Sequence, residues 1–252
     1  MGLLQDKVAL VTGGAKSIGR AFATTLAGEG ANVIIADIVP GEPAAEDLNS
    51  RFGIQAVALR ADVSDEKQVV GLVAAAVDAF GRIDILVNNA AFFATMPRAP
   101  IEQMDVELFD KVLAVNVRGP FLMVKHVAPH MKAAGGGKII NIGSGTANKG
   151  MPGMVAYVSS KAAMLGFTRT LSRELGPHGI CVNTLSPGLI ESESLLENPH
   201  HLDGSAKVIA TRAIQRKAVP DDLQGALLFL ASPLSDFVTG QTIAVDGGSV
   251  NT

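Results

Sequence analysis

Tryptophan is missing from the 252-residue chain, tyrosine and cysteine occur once each, and aromatic residues together make up only 4%. With Cys181 as its one cysteine the chain can form no internal disulfide, which suits a reducing compartment. Cys181 sits in "GICVNTLSP" as a small strand hydrophobe, and no basic residue stands beside it in sequence to activate the thiol. Excess charge of one sign is also missing: 21 Lys and Arg against 24 Asp and Glu give a formal -3, with a pI near 5.9. That balance supplies no electrostatic footprint for nucleic acid or an anionic membrane. No apolar segment reaches bilayer length without a break. The opening "MGLLQDKVALVTG" has too short an apolar run for a signal peptide, and Asp6 stands where a myristoylation signal needs Ser or Thr. These absences predict a soluble protein of the cytoplasm.

What the chain does have is short apolar runs at even intervals. They are "KVALVT" (7–12), "NVIIAD" (32–37), "AVALRAD" (56–62), "DILVNNA" (84–90), "KIINIGS" (138–144), "ICVNTLSP" (180–187) and "TIAVDGG" (242–248). Each is continuous rather than alternating, as parallel strands covered on both faces require. Helix-period segments lie between them, including 66–80 and 156–175. The alternation predicts one doubly wound α/β domain over residues 1–252, with about seven parallel strands and helices on both faces. Only 188–219 breaks the rhythm, being long, polar and interrupted by Pro199 and Gly204. A connection of that length reads as a lid over a site.

The stretch "TGGAKSIGRA" (12–21) follows the first strand and opens a helix. Gly13 permits the tight turn, Gly19 lets the helix pack closely, and the helix N-terminus points free N–H groups at a diphosphate. Ser17 occupies the position of closest approach, where its hydroxyl can donate to a phosphate oxygen. Lys16 and Ile18 complete the loop. Asp37 ends the next strand 18 residues after Gly19, where a carboxylate accepts from both ribose hydroxyls and repels a 2′-phosphate. NAD is therefore expected over NADP, with Lys16 the residue pulling the other way.

"TGGAKSIG" resembles the TGxxxGxG loop of the short-chain dehydrogenase/reductases, Ser17 replacing its middle glycine. "NNAA" from Asn88, "NVRGPF" from Asn116, Ser144 in "IGS", "YVSSK" from Tyr157, "SPGLIES" from Ser186 and "TGQTIAVDGG" match further motifs of that family in order and spacing. The resemblance implies a Rossmann fold and an Asn116–Ser144–Tyr157–Lys161 tetrad. Tyr157 and Lys161 lie four apart and so project from one helix face. Lowering a tyrosine pKa from about 10 to about 7 requires roughly 4 kcal/mol, which the lysine and a positively charged nicotinamide are expected to provide. By resemblance Tyr157 is the general acid or base, Lys161 tunes it and holds the nicotinamide ribose, and Ser144 binds the substrate oxygen. Asn116 would position a water linking Lys161 to solvent. Asp62 and Val63 would flank the adenine, Asn89 and Ala90 would lie near the ribose, and Pro187, Ile190 and Ser192 would reach the nicotinamide.

The resemblance makes the protein an NAD-dependent enzyme exchanging hydride between nicotinamide and an alcohol or carbonyl carbon. "AFFATMPRAP" (91–100), "GTANKGMPGM" (145–154) and the lid are expected to line the substrate pocket. They bring Phe92, Phe93, Met96, Met151 and Met154 but few charges, which points to a small apolar, aromatic or cyclic alcohol. An NADP-linked acyl-carrier ketoreductase is the alternative, opposed by Asp37, and a dinucleotide-sensing regulator without turnover is a third reading. An enoyl reductase of the family usually spaces Tyr and Lys more widely. His126 and His130 read as surface histidines rather than metal ligands, and Glu191, Glu193 and Glu197 as a solvated face. A homotetramer through helices 105–133 and 156–175 and the last strand is implied by resemblance only.

Overall fold

The computed structural model describes residues 2–197 and 205–250. Seven parallel strands form one sheet: β1 (Val8–Thr12), β2 (Asn32–Asp37), β3 (Ala56–Arg60), β4 (Ile85–Asn88), β5 (Gly137–Ile142), β6 (Ile180–Pro187) and β7 (Thr242–Val245). Their order across the sheet is β3-β2-β1-β4-β5-β6-β7. The apolar runs become strands because both faces are covered: every residue of β1, β4 and β6 is buried. The sequence places all seven. It overruns four of them at the carboxyl end, where side chains and glycines turn the chain away. Asp62 accepts from the N–H and hydroxyl of Ser64 just past β3, and Gly247 and Gly248 past β7 have positive φ.

Helices cover both faces. On one side α1 (Ser17–Gly28), α2 (Glu42–Phe52) and α10 (Gln224–Ala231) bury Phe22, Leu26, Leu48 and Leu227. On the other, α3 (Glu66–Phe80), α5 (Gly119–Ala133) and α7 (Val155–Leu175) bury Val69, Leu72, Met123, Val127 and Leu175. The Asp65 carboxylate starts α3 by accepting from the Lys67 and Gln68 N–H groups, an ordinary N-cap. Between α4 (Val106–Leu113) and α5, residues Ala114–Arg118 make a π-helical turn, a widening that carries Asn116 inward.

All strand carboxyl ends share one edge, and the strand order reverses direction between β1 and β4. Open α/β sheets bind ligands at such a switch point. The described parts of 188–219 lie over this edge and include α8 (Glu193–Leu196) and α9 (Ser205–Ala210). Its base is closed: Ile190 pairs with Ala218 as a parallel bridge, and the Arg212 guanidinium donates to Leu189 O at 2.7 Å and to Arg216 O at 2.6 Å. Pro199 and Gly204, which mark the segment in sequence, lie outside the described residues.

Candidate active site

The glycine loop is built by its neighbours. Gly13 turns the chain at a φ of +63°. A Cβ on Gly19 would lie 1.9 Å from Gly13 O, so no larger residue fits there without moving backbone. Ser17 takes a φ of +57°, the left-handed region that its place in the motif reserves for glycine. Thr12 Oγ1 accepts from the Asn89 and Ala90 N–H groups at 3.0 and 3.1 Å. Asn89 Nδ2 donates to Thr12 O at 2.9 Å and Gly13 O at 3.1 Å. The Asn89 amide expected near the ribose thus holds the loop itself, and Thr12 joins it as a positioning residue.

At the end of β2 the Asp37 carboxylate accepts from Ala15 N–H at 3.0 Å and Val39 N–H at 3.2 Å. Two short backbone bonds fix it at the rim of the loop. Lys16, the residue favouring a 2′-phosphate, lies 3.8 Å from Glu197 Oε2 of the lid. The three lid glutamates do not form an idle solvated face: Glu191 pairs with Lys217 at 3.1 Å, Glu193 accepts from Ser17 N–H, and Glu197 faces Lys16.

Every residue that the sequence assigns to the cofactor, from Gly13 to Ser192, lines a single cleft of about 710 Å³, and so do Ser144, Tyr157 and Lys161. Tyr157 and Lys161 project from one face of α7 and are 8% and 4% exposed. The Lys161 ammonium lies 5.8 Å from the Tyr157 ring centroid and donates to Ile142 O at 2.7 Å. Ser144 hydrogen-bonds the phenol, and Phe93 stacks on the ring at 4.6 Å between centroids. Burial disfavours both charged forms: it pushes the phenol up to about 12, against the Ser144 hydrogen bond, and pulls the lysine down to about 8. A phenol below 10 is therefore not the direction for the cofactor-free protein, where desolvation outweighs the Ser144 hydrogen bond.

Asn116 is the exception among the four. It stands behind the cleft, 1% exposed, with its amide engaged. Its Oδ1 accepts from Phe92 N–H at 2.7 Å, and its Nδ2 donates to Ser160 Oγ at 3.0 Å. Ser160 Oγ in turn donates to Tyr157 O at 2.7 Å. The side chain ties the wall at Phe92 to the tyrosine's own turn of helix.

The residues needed for a nicotinamide dinucleotide fit: a loop that a Cβ would fill, a helix N-terminus without a side-chain cap, and a carboxylate at the next strand end. Against known proteins, the family model described as enoyl-(acyl carrier protein) reductase matches residues 13–250. A galactitol 2-dehydrogenase of Agrobacterium fabrum is 40% identical over 98% of each chain. The protein is a short-chain dehydrogenase/reductase. A second relative of this family, the trans-4-hydroxycyclohexanecarboxylate dehydrogenase of Sinomonas cyclohexanicum, is 37% identical over 96% of this chain and 92% of its own. A solved structure from Beutenbergia cavernae, described as an NAD(P)-dependent gluconate 5-dehydrogenase with NADP bound at low occupancy, superposes with a TM-score of 0.90. It is 33% identical over 98% of this chain and 97% of that one.

Within this short-chain dehydrogenase/reductase the substrate end carries more charge than its sequence advertises. Arg98, Lys111, Lys149, Arg212 and Asp246 reach the same cleft as Phe92, Phe93, Met151 and Met154. Met96 does not share the apolar wall: it is 2% exposed in the cluster beneath Tyr157. No local signal reveals Arg212 or Asp246 as wall residues, because the lid's return and the end of β7 bring them in. The same blindness affects Cys181. Strand register sets Lys138 opposite it, and Lys138 Nζ lies 3.7 Å from the sulfur while also pairing with Asp236 at 2.8 Å. A basic neighbour therefore exists, 43 residues away in sequence. His126 pairs with Glu66 at 3.0 Å.

Proposed function

We propose that the protein is an NAD-dependent alcohol dehydrogenase, with Tyr157 as acid and base, Ser144 on the substrate oxygen and Lys161 as the cation that tunes the phenol. The observation carrying this reading is that Ser144, Tyr157 and buried Lys161 line one cleft with Asp37. The bound dinucleotide would supply the hydride site and, when oxidised, a positive charge close to the phenol. Tyr157 holds the proton at neutral pH in the free protein, ready to give it to a carbonyl oxygen. In the oxidative direction the same oxygen takes the proton from an alcohol, which requires its pKa to fall from about 12, and Lys161 favours that fall. Ser144 hydrogen-bonds the reacting oxygen as charge develops on it. Asn116 and Ser160 keep the tyrosine in register with the pocket wall.

Asp37 supports NAD over NADP, since its carboxylate is fixed where a 2′-phosphate would arrive. The lining combines Phe92, Phe93, Met151 and Met154 with Thr146, Lys149 and Arg212, which suits a small hydroxylated or cyclic secondary alcohol. The names of the relatives, a galactitol and a hydroxycyclohexanecarboxylate dehydrogenase, lie in that class. A homotetramer in the cytoplasm belongs to the same reading, supported by Phe121 of α5 and by Leu234 and Phe237 before β7, all exposed. The decisive experiment assays NAD and NADP reduction with galactitol, sorbitol, both 4-hydroxycyclohexanecarboxylates and cyclohexanol. Turnover of at least one, with kcat/KM at least about tenfold higher on NAD, supports the reading. Equal or better turnover with NADP overturns the cofactor assignment, and no turnover across a broad alcohol and ketone panel favours the regulator.

A further inference from the structure

The amino end of α1 already has an anion on it. Glu193 Oε2 accepts a hydrogen bond from the Ser17 backbone N–H at 3.3 Å. Ser17 is the first residue of α1. That helix has no acidic residue in its first turn, and Lys16 before it makes no side-chain cap. The free N–H groups there favour a negative partner, which α1 does not supply for itself. A carboxylate 176 positions further along the chain supplies it instead. The neighbouring contact has the same sense, since Lys16 Nζ faces Glu197 Oε2 at 3.8 Å. Two carboxylates of the lid's first helical turn thus bracket the loop where a dinucleotide would lay its diphosphate.

We propose that Glu193 is an internal competitor for the cofactor's diphosphate, occupying the α1 N-terminus in the free protein and leaving it when the dinucleotide arrives. The inference rests on the cofactor reading given above. Its sign follows from charge. A carboxylate and a diphosphate cannot share one set of N–H groups at hydrogen-bond range without repulsion, so one must displace the other. Binding therefore releases the start of the lid from the loop, and cofactor affinity is set below what the loop alone would give. By reciprocity, whatever holds α8 down on Ser17 weakens cofactor binding by the same factor.

Calorimetric titration of the wild type and Glu193→Gln with NAD, ADP-ribose and adenosine tests this. The glutamine keeps an acceptor of the same length but loses the charge. NAD and ADP-ribose should bind the variant about twofold to fivefold more tightly, the range expected for one exposed charge at a helix end. Adenosine, which has no diphosphate, should bind both proteins equally. Unchanged or weaker ADP-ribose binding in the variant overturns the proposal, and weaker binding would make Glu193 a ligand of the cofactor. Equal tightening for adenosine also overturns it, because the effect would not pass through the diphosphate. A wild type that binds neither NAD nor ADP-ribose removes the cofactor reading and this inference with it.

Discussion

The two ends of the cleft are held by different kinds of bond. At the cofactor end, Thr12, Asn89 and Asp37 bond to backbone groups at 2.9 to 3.3 Å, reaching between the ends of β1, β2 and β4. At the other end, where the lid leaves and re-enters the sheet, side-chain ion pairs are prominent: Glu191–Lys217 and Arg216–Asp222, each with an exposed partner. A backbone group satisfied in a buried place has no alternative partner, whereas exposed ion pairs contribute about 0–1 kcal/mol each and exchange readily with water. One end is a fixed seat. The base of the lid is held more weakly.

The sharpest way to separate the ends is to remove the chemistry and leave the seat. Tyr157→Phe should lower kcat by about 10²–10⁴-fold, the usual worth of a positioned acid or base, while the Kd for NAD stays within about twofold. Retained turnover in steady-state assays would dissolve the proposed catalytic end.

The next largest effect is spectroscopic, because Tyr157 is the sole tyrosine and tryptophan is missing. Its phenolate band in the cofactor-free protein should titrate above the ordinary value of about 10, toward about 12, and NAD should lower it. Stability should follow the same groups. The phenol is raised by burial, so its contribution is lost as pH climbs from about 10 to about 12. Lys161 is depressed to about 8, so its burial penalty is full below that pH and is relieved as pH rises toward 10.5. Lys161→Met should remove the rise between pH 8 and 10 in denaturant titrations and leave the fall above 10. A free phenol titrating below 10 would mean that the lysine, not burial, governs the site.

Specificity at the fixed end comes third. Asp37→Asn removes the charge but keeps an oxygen for Ala15 N–H, and should bring the NAD-to-NADP ratio of kcat/KM from at least about tenfold to near unity, roughly 1.4 kcal/mol. A ratio unmoved by the substitution would place the discrimination elsewhere in the loop. Smallest is Ser17→Gly. Relieving a left-handed serine should stabilise the free protein by about 0.5–1 kcal/mol in urea unfolding, the gain in the folded state being partly offset by a freer unfolded chain. Ser17→Ala keeps the strain and should gain nothing. Equal midpoints for Gly and Ala would show that the backbone there carries no strain.

The contrast between the ends also decides what could be read in advance. The inner strands β1, β4 and β6 were legible because burial on both faces demands unbroken apolar runs, the half-buried edge strands β3 and β7 because they keep the same spacing, and the loop because Gly13 and Gly19 have steric duties no other residue performs. Tyr157 and Lys161 declared themselves by helical spacing. What stayed hidden depends on register and on long returns of the chain. Examples are Lys138 opposite Cys181, Arg212 and Asp246 in the substrate wall, and Glu193 on Ser17. The Asn116 amide was hidden for a subtler reason: a π turn rotates the residue, and no short-range pattern in "LAVNVRG" marks that turn. The phenol's direction of shift was missed because sequence reveals the neighbouring cation and not the depth of burial.

The closed base of the lid bears on how such a protein changes over generations. Ile190 and Ala218 meet as a bridge, and Arg212 grips Leu189 and Arg216, so the chain leaves and re-enters the sheet edge at fixed places. Whatever lies between those points can lengthen, shorten or be exchanged while the strands beneath keep their positions. Exchanging the segment would change the substrate wall and, because Glu193 and Glu197 face Ser17 and Lys16, the loop beside it as well. A graft from another enzyme should transplant best when it brings a guanidinium, or an equivalent clasp, at the place of Arg212.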